Sequence, residues 1–182
     1  MSYKKWSLIA VFLFAVGLVL GLVTPPGIAG FMSEDIAALE ELSRILTPFS
    51  VLTFSIIFVK NASALVLSFV LSPILCLMPL ITLTVNGWLL AFVSSLVVQE
   101  ESLGFVLAGV LPHGIFELPA IIIGEAAALS FGAMAILALF RRDKRPLLLP
   151  NIRQNLKYLL VAVALLLPAA IIETYLTPLL IS

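Results

Sequence analysis

The side chains able to do chemistry gather in one stretch, Leu111-Pro112-His113-Gly114-Ile115-Phe116-Glu117-Leu118-Pro119, followed closely by Gly124 and Glu125. It holds the chain's only histidine and two of its ten acids. The surrounding sequence is apolar enough to belong in lipid, where an ionisable group costs about 3 kcal/mol or more at the bilayer centre. Groups kept there at that cost are candidates for a function. His113 and Glu117 are four apart, so they are neighbours on one face if a helix has begun by residue 113. Ala120, Gly124 and Ala128 continue that face as a stripe of small side chains, which lets helices approach closely in lipid. Glu125 is offset from Glu117 by about 80° and points to the side of the stripe.

Lys60, Asn61, Asn86 and Glu173 are the other polar groups set in apolar runs, and each needs a partner inside a helix bundle. Two chemistries fit this set. One is an ion or proton site: a buried Glu117 or Glu125 calls for compensation by Lys60 or a bound cation, and an ordinary imidazole titrates near neutral pH. The other is structural, with His113–Glu117, a lysine–glutamate pair and the two asparagines tying helices together by hydrogen bonds. A metal-dependent intramembrane hydrolase fits poorly. A single histidine and the absence of an H-E-x-x-H pattern leave too few nitrogen or sulfur ligands for catalytic zinc. There is no serine elbow and no cysteine pair. We therefore expect no catalytic residues, no enzyme activity and no cofactor, and leave a metal open.

The elements that must position these groups follow from composition. The chain has 182 residues, of which 62% are hydrophobic and 11% charged. Its mean hydropathy of +1.23 lies far outside soluble usage. A net charge of zero, with basic residues confined mostly to loops, excludes nucleic acid as a natural partner. Cys76 stands alone in an apolar run and reads as a packing residue.

Along the chain, Lys4 and Lys5 precede an apolar run to Val23, long enough to span as an uncleaved signal anchor. Pro25-Pro26-Gly27 stops it. Ser33 with Glu34 and Asp35 resembles a helix N-cap with acids in the first turn, and Ile36, Leu39, Leu42 and Leu46 recur at helical spacing. The reading is an amphipathic helix at about 33–46 in the first outer loop, covering the bundle or docking a partner. Apolar segments follow at 48–72 and 74–98, with Pro48, Ser72-Pro73 and Gln99-Glu100-Glu101 as boundaries. Residues 103–140 are too long for one span and slightly short for two. The last span is placed at about 158–180, bent at Pro168.

Eight of the ten basic residues, at 4, 5, 141, 142, 144, 145, 153 and 157, mark cytoplasmic ends, and the acids of 34–41 and 100–101 mark the outside. An odd number of crossings must separate the first outer loop from residue 141. The expectation is a short re-entrant or broken helix near 103–114, a turn at Pro112-His113-Gly114, and a crossing at 115–140. Such a break is tolerated only where protein or a watery cavity covers it. This gives an all-α, polytopic bundle of about five spans in a single domain (about 6–23, 48–72, 74–98, 115–140 and 158–180). It is expected in the cell membrane, with the amino terminus cytoplasmic and the carboxyl terminus outside.

Phe58-Val59-Lys60-Asn61, Asn86-Gly87 and above all Leu111 to Ala120 resemble the stage II sporulation protein M family. The resemblance covers roughly residues 48 to 140, and the proline-histidine-glycine-to-glutamate stretch is its specific part. It implies a small integral membrane protein of about five spans. Asn61, Asn86, Gly87, His113, Gly114 and Glu117 match its polar core; Pro112 and Gly124 are read from the residues themselves as further helix-break or packing positions. In endospore formers the resemblance implies a membrane anchor for two cell-wall-degrading partners. This chain has little mass outside the membrane beyond residues 24 to 47 to grip such enzymes. The expected role is a non-enzymatic scaffold or assembly subunit, meeting the lipid bilayer, a membrane or cell-envelope protein, or a second copy across small-residue faces. The alternative is a channel or transporter for a cation or small solute through His113, Glu117, Glu125 and Lys60.

Overall fold

The structure is a computed structural model that describes residues 3–25, 27 and 47–181. Among these residues every regular element is a helix, and five helices are long and apolar enough to cross a membrane. They are α1 (Tyr3–Val23), α2 (Val51–Leu71), α3 (Leu77–Glu100), α4 (Leu103–Phe140) and α5 (Arg145–Ile171). A π turn at Ile172–Leu176 carries α5 into the short α6 (Thr177–Leu180), and a 3₁₀ turn at Arg142–Lys144 joins α4 to α5. The expected amphipathic helix at 33–46 lies outside the described residues.

Local chemistry sets the boundaries. Ser50 Oγ accepts from the Leu52 N–H at 3.2 Å and Ser102 Oγ from the Phe105 N–H at 3.1 Å, so each hydroxyl satisfies an orphan donor at the start of α2 and α4. Pro146 opens α5, where its missing N–H costs nothing. Between α2 and α3 the chain reverses in a tight turn, with Leu75 and Cys76 both left-handed (φ 53° and 55°). The Cys76 N–H closes it on the Ser72 carbonyl at 2.9 Å.

Glycines decide which helices touch. A Cβ on Gly17 would collide with the Thr84 carbonyl oxygen, and one on Gly87 with that of Phe14, so α1 and α3 meet backbone to backbone. Later residues of α1 face later residues of α3, so the two run parallel. The α2–α4 pair is also parallel: Asn61 meets Glu117, Ser68 meets Glu125, and Ser72 meets Gly132. By contrast α5 runs back along α4, with Asn155 at Ser130 and Ala162 at Gly124. Helices one, three and five thus point one way and two and four the other, as five successive crossings require. This is a multi-pass membrane protein.

The region 103–140 corrects an expectation. No turn interrupts it at Pro112–Gly114; it is one 38-residue helix running through Pro112 and Pro119. At 1.5 Å per residue it is about 57 Å long, well beyond a hydrocarbon core of about 30 Å. The excess is legible in its neighbours. Cys76, where α3 begins, lies beside Leu129; α2 ends beside Gly132; and Tyr3 of α1 stacks on Tyr158 and donates to the Ile123 carbonyl at 2.9 Å. Residues 133–140 of α4 and the first turns of α5 therefore form a hairpin reaching about 12 Å past the other helices. Its tip carries Arg141, Arg142, Lys144 and Arg145. The last helix is longer than expected for the same reason, since it starts at Arg145 rather than near 158.

The core is small-residue packing around α4. Ala120, Ala127 and Ala128 are fully buried against Leu65 and Phe69 of α2 and Leu159, Ala162 and Leu166 of α5. On the other side Ala126 and Leu129 meet Ala10, Phe14 and Leu83. The stripe 120–124–128 is thus used within the chain, where it packs α4 against α2 and α5.

Candidate functional site

The polar groups assemble where α2, α4 and the end of α5 meet. Because α4 is helical from residue 103, His113 and Glu117 do share a face: Nε2 and Oε2 are 3.8 Å apart, with the two side chains 17% and 22% exposed. Asn61 reaches across from α2, its Nδ2 donating to Glu117 Oε1 at 3.1 Å. Glu173 comes from the π turn that follows α5. One ligating atom each from His113, Glu117 and Glu173 lie within 4.8 Å of one another. His113 Nδ1 is buried and has no hydrogen-bond partner among the described residues.

Glu173 is placed by an irregularity. The last helix continues through Pro168, where a bend is expected, and departs from α geometry at Ile172–Leu176 instead. There the Thr177 N–H bonds back to the Ile172 carbonyl, five residues earlier. Pro178 supplies the reason: its ring would strike the Thr174 carbonyl in a regular helix, and it has no N–H to offer that carbonyl. The Phe49 N–H takes the place, donating to Thr174 O at 3.2 Å. A widened turn of this kind is often found at functional positions.

Asn86 does not join the cluster directly. Its Nδ2 donates to the Thr82 carbonyl one turn back at 2.7 Å, and its side chain lines a cavity of about 30 Å³ with Asn61, Thr82 and Glu117. That space has room for a water or two, and its walls offer the polar partners a water needs. Lys60 also departs from expectation. It is exposed on the bundle surface rather than buried in it, though near enough for its charge to be felt by Glu117 and Glu173.

Glu125 forms a separate pair two turns further along α4. It is fully buried, and Ser68 Oγ donates to its Oε2 at 2.5 Å while Oε1 has no partner among the described residues. Gly124 lies against Leu65 and Ala162, and Gly87 under Phe14. At Gly114 an added Cβ would meet only ordinary contacts, and Pro112 lies inside the helix without breaking it.

A third polar group was not anticipated from the sequence. Ser130 of α4 accepts from Asn155 Nδ2 at 3.2 Å and from Asn151 Nδ2 at 3.4 Å. Asn155 is 2% exposed and also donates to the Asn151 carbonyl at 2.9 Å. The signal available was the i, i+4 spacing of the two asparagines, which has meaning only once a helix is known to cover them. From one end of the bundle to the other, α4 thus presents His113 and Glu117, then Glu125, then Ser130.

Comparison with known proteins gives a consistent picture. The model of the family described as stage II sporulation protein M matches residues 10–178. An uncharacterised protein of the archaeon Methanocaldococcus jannaschii is 28% identical over 172 residues, covering 94% of this chain and 93% of its own. No solved structure matches the chain. With almost its whole length matched, including the helices that bring Asn61, His113 and Glu117 together, the chain belongs to the stage II sporulation protein M family.

Proposed function

We propose that the protein is a non-enzymatic membrane scaffold or assembly subunit. The observation that carries this reading is how the polar side chains are used. Tyr3, Asn61, Ser68 and Asn155 each bond across to α4, Trp88 bonds to Thr24 just past α1, and the polar cavity beside Asn61 and Glu117 is only about 30 Å³. These bonds, with the glycine seam between α1 and α3, favour one rigid arrangement. The projecting hairpin adds a surface: Leu139 and Phe140 are 71% and 78% exposed next to four basic residues. Its partner would be a membrane or cell-envelope protein or a second copy of the chain. The test is purification from native membranes in several detergents, which should recover a stoichiometric protein partner. Recovery of the chain alone in all of them would overturn the scaffold reading.

A second reading is passage of a cation or small solute. It is favoured by the order of groups along α4, where His113, Glu117, Glu125 and Ser130 follow one another through the bundle with partners from α2 and α5. Ionisable groups in series at membrane depth are a recurrent feature of proton and ion pathways. On this reading Glu117→Gln abolishes an ion flux into proteoliposomes while the melting temperature stays within a few degrees. A flux indifferent to the substitution, or none at all, returns Glu117 to a structural role.

A further inference from the structure

We propose that His113, Glu117 and Glu173 form a binding site for one divalent first-row transition-metal ion, of the zinc or manganese class. The inference concerns a ligand of the chain and is independent of whether the protein acts as a scaffold or a permeation path.

The donor set comes first. An imidazole and two carboxylates converge from two helices, with ligating atoms within 4.8 Å of one another. The 3.8 Å between His113 Nε2 and Glu117 Oε2 is too long for a hydrogen bond. It is the separation expected of two ligands on one ion, since two bonds of about 2.1 Å at angles from tetrahedral to linear span about 3.4–4.2 Å. The widest pair closes to that range with side-chain movements of about half an ångström, within what a rotamer adjustment supplies.

Four further features of the structure fit the same ion. Glu117 is oriented by the Asn61 amide, the kind of outer hydrogen bond that holds a ligating carboxylate in place. Glu173 stands in a widened turn of a helix otherwise regular from Arg145 to Ile171. Two carboxylates share a partly buried setting whose nearest basic side chain, Lys60, is exposed, so a divalent charge is the better complement. A cavity of about 30 Å³ lies on the Glu117 and Asn61 side of the cluster and has room for a water beside the Glu117 carboxylate.

The chemistry of the donors selects the ion. A nitrogen ligand with two oxygens suits zinc, manganese, iron or cobalt, whereas magnesium and calcium take oxygen donors. The ligands span α4 and the end of α5, so the ion would clip the carboxyl-terminal turn to the long helix. Binding requires an unprotonated imidazole nitrogen and ionised carboxylates, so protons compete with the ion for the same atoms.

The experiment uses the full, tag-free chain in lipid nanodiscs, stripped of metal and titrated with Co²⁺ alone, with Zn²⁺ as competitor. The expected result is one Co²⁺ per chain with visible d–d absorption, displaced by one equivalent of Zn²⁺. His113→Gln, Glu117→Gln and Glu173→Gln each weaken binding by about tenfold or more, and the triple variant abolishes it. Glu100→Gln, on the exposed end of α3, leaves it unchanged. Absence of saturable binding by the wild-type chain overturns the proposal, as does a triple variant that binds like wild type. Equal competition by Mg²⁺ overturns the assigned class of ion. Zinc-edge X-ray absorption of the wild-type protein needs no variant to fold: one imidazole among oxygen ligands supports the site, and a shell without imidazole overturns it. Partner recovery and ion flux are read separately, so failure here is distinguishable from failure of either functional reading.

Discussion

The Ser68 hydroxyl donates a 2.5 Å hydrogen bond to Glu125, a carboxyl with no exposure whose second oxygen has no partner among the described residues. The pair joins α2 to α4 at a level where both neighbours of Glu125, Gly124 and Ala126, are also buried.

Removing the donor while keeping the acid is therefore expected to hurt more than changing the acid conservatively. Ser68→Ala leaves the buried carboxyl with nothing to accept from and should cost about 1–2 kcal/mol. Glu125→Gln keeps the volume and a carbonyl acceptor for Ser68, and should cost less than about 1 kcal/mol. Reversible denaturation of the two single variants and the double variant in mixed micelles closes the cycle. A double variant that loses the sum of the two single losses would mean that the bond itself contributes little.

The glycines make a sharper contrast. Gly17→Ala and Gly87→Ala put a methyl into a carbonyl oxygen of the facing helix, so α1 and α3 must separate, at about 1–3 kcal/mol each. Gly132→Ala meets the Ser72 carbonyl at the α2–α3 turn and should behave alike. Gly109→Ala has nothing within 4 Å to meet and should gain up to about 1 kcal/mol from helix propensity. Thermal unfolding in one detergent ranks the four. A Gly109 variant as damaged as the Gly17 variant would remove the packing explanation.

Much of this arrangement is readable from residue types alone, for identifiable reasons. Apolar runs and basic ends give the five spans because lipid imposes both on sequence. The His113–Glu117 pair is readable because a four-residue spacing has one meaning on a helix. The break expected at Pro112 is a case where a local rule loses. In α4 the two prolines free only a few backbone groups, and a helix packed on four others tolerates them. Glu173 joining His113 depends on the Pro178 ring and the Phe49 N–H, a long-range accommodation with no pattern of its own. Ser68 is silent for a similar reason, since a serine in an apolar run does not announce which acid it faces. Asn151 and Asn155 were hidden by reading 141–157 as a connection, when Pro146 already marks a helix start.

Orientation in the membrane is testable with single cysteines in a Cys76→Ser background. The α1–α3 and α2–α4 pairs run parallel, which places Glu101 and the 3₁₀ turn at Arg142–Lys144 on opposite sides. With the basic residues cytoplasmic, a cysteine at 101 should react with an impermeant maleimide on intact cells, and one at 142 only after lysis. The reverse pattern inverts the whole topology, and reaction of both on intact cells would contradict five crossings.

Among the described residues the hairpin beyond the bundle consists of α4 and α5 alone, which makes its base a place where one residue should matter. From Ser130 onward the side-chain bonds between α4 and α5 are Asn155 and Asn151 to Ser130, with Arg145 Nε donating to the Ala138 carbonyl at 3.2 Å near the tip. Asn155 is buried and donates to Ser130 as well as to the Asn151 carbonyl, whereas Asn151 is only half-buried and 3.4 Å from the hydroxyl. Asn155→Ala should therefore cost about 1–2 kcal/mol locally and Asn151→Ala less, because only the first leaves a buried acceptor short of its main donor. Opening would be confined to the hairpin, since the seams that hold α1 to α3 and α2 to α4 lie elsewhere. Hydrogen exchange in nanodiscs should show amides 133–152 exchanging about tenfold faster in Asn155→Ala, with those of α1 and α3 unchanged. Protection lost throughout the chain would mean instead that Ser130 and Asn155 anchor the whole bundle, and that the projecting hairpin is not a unit of its own.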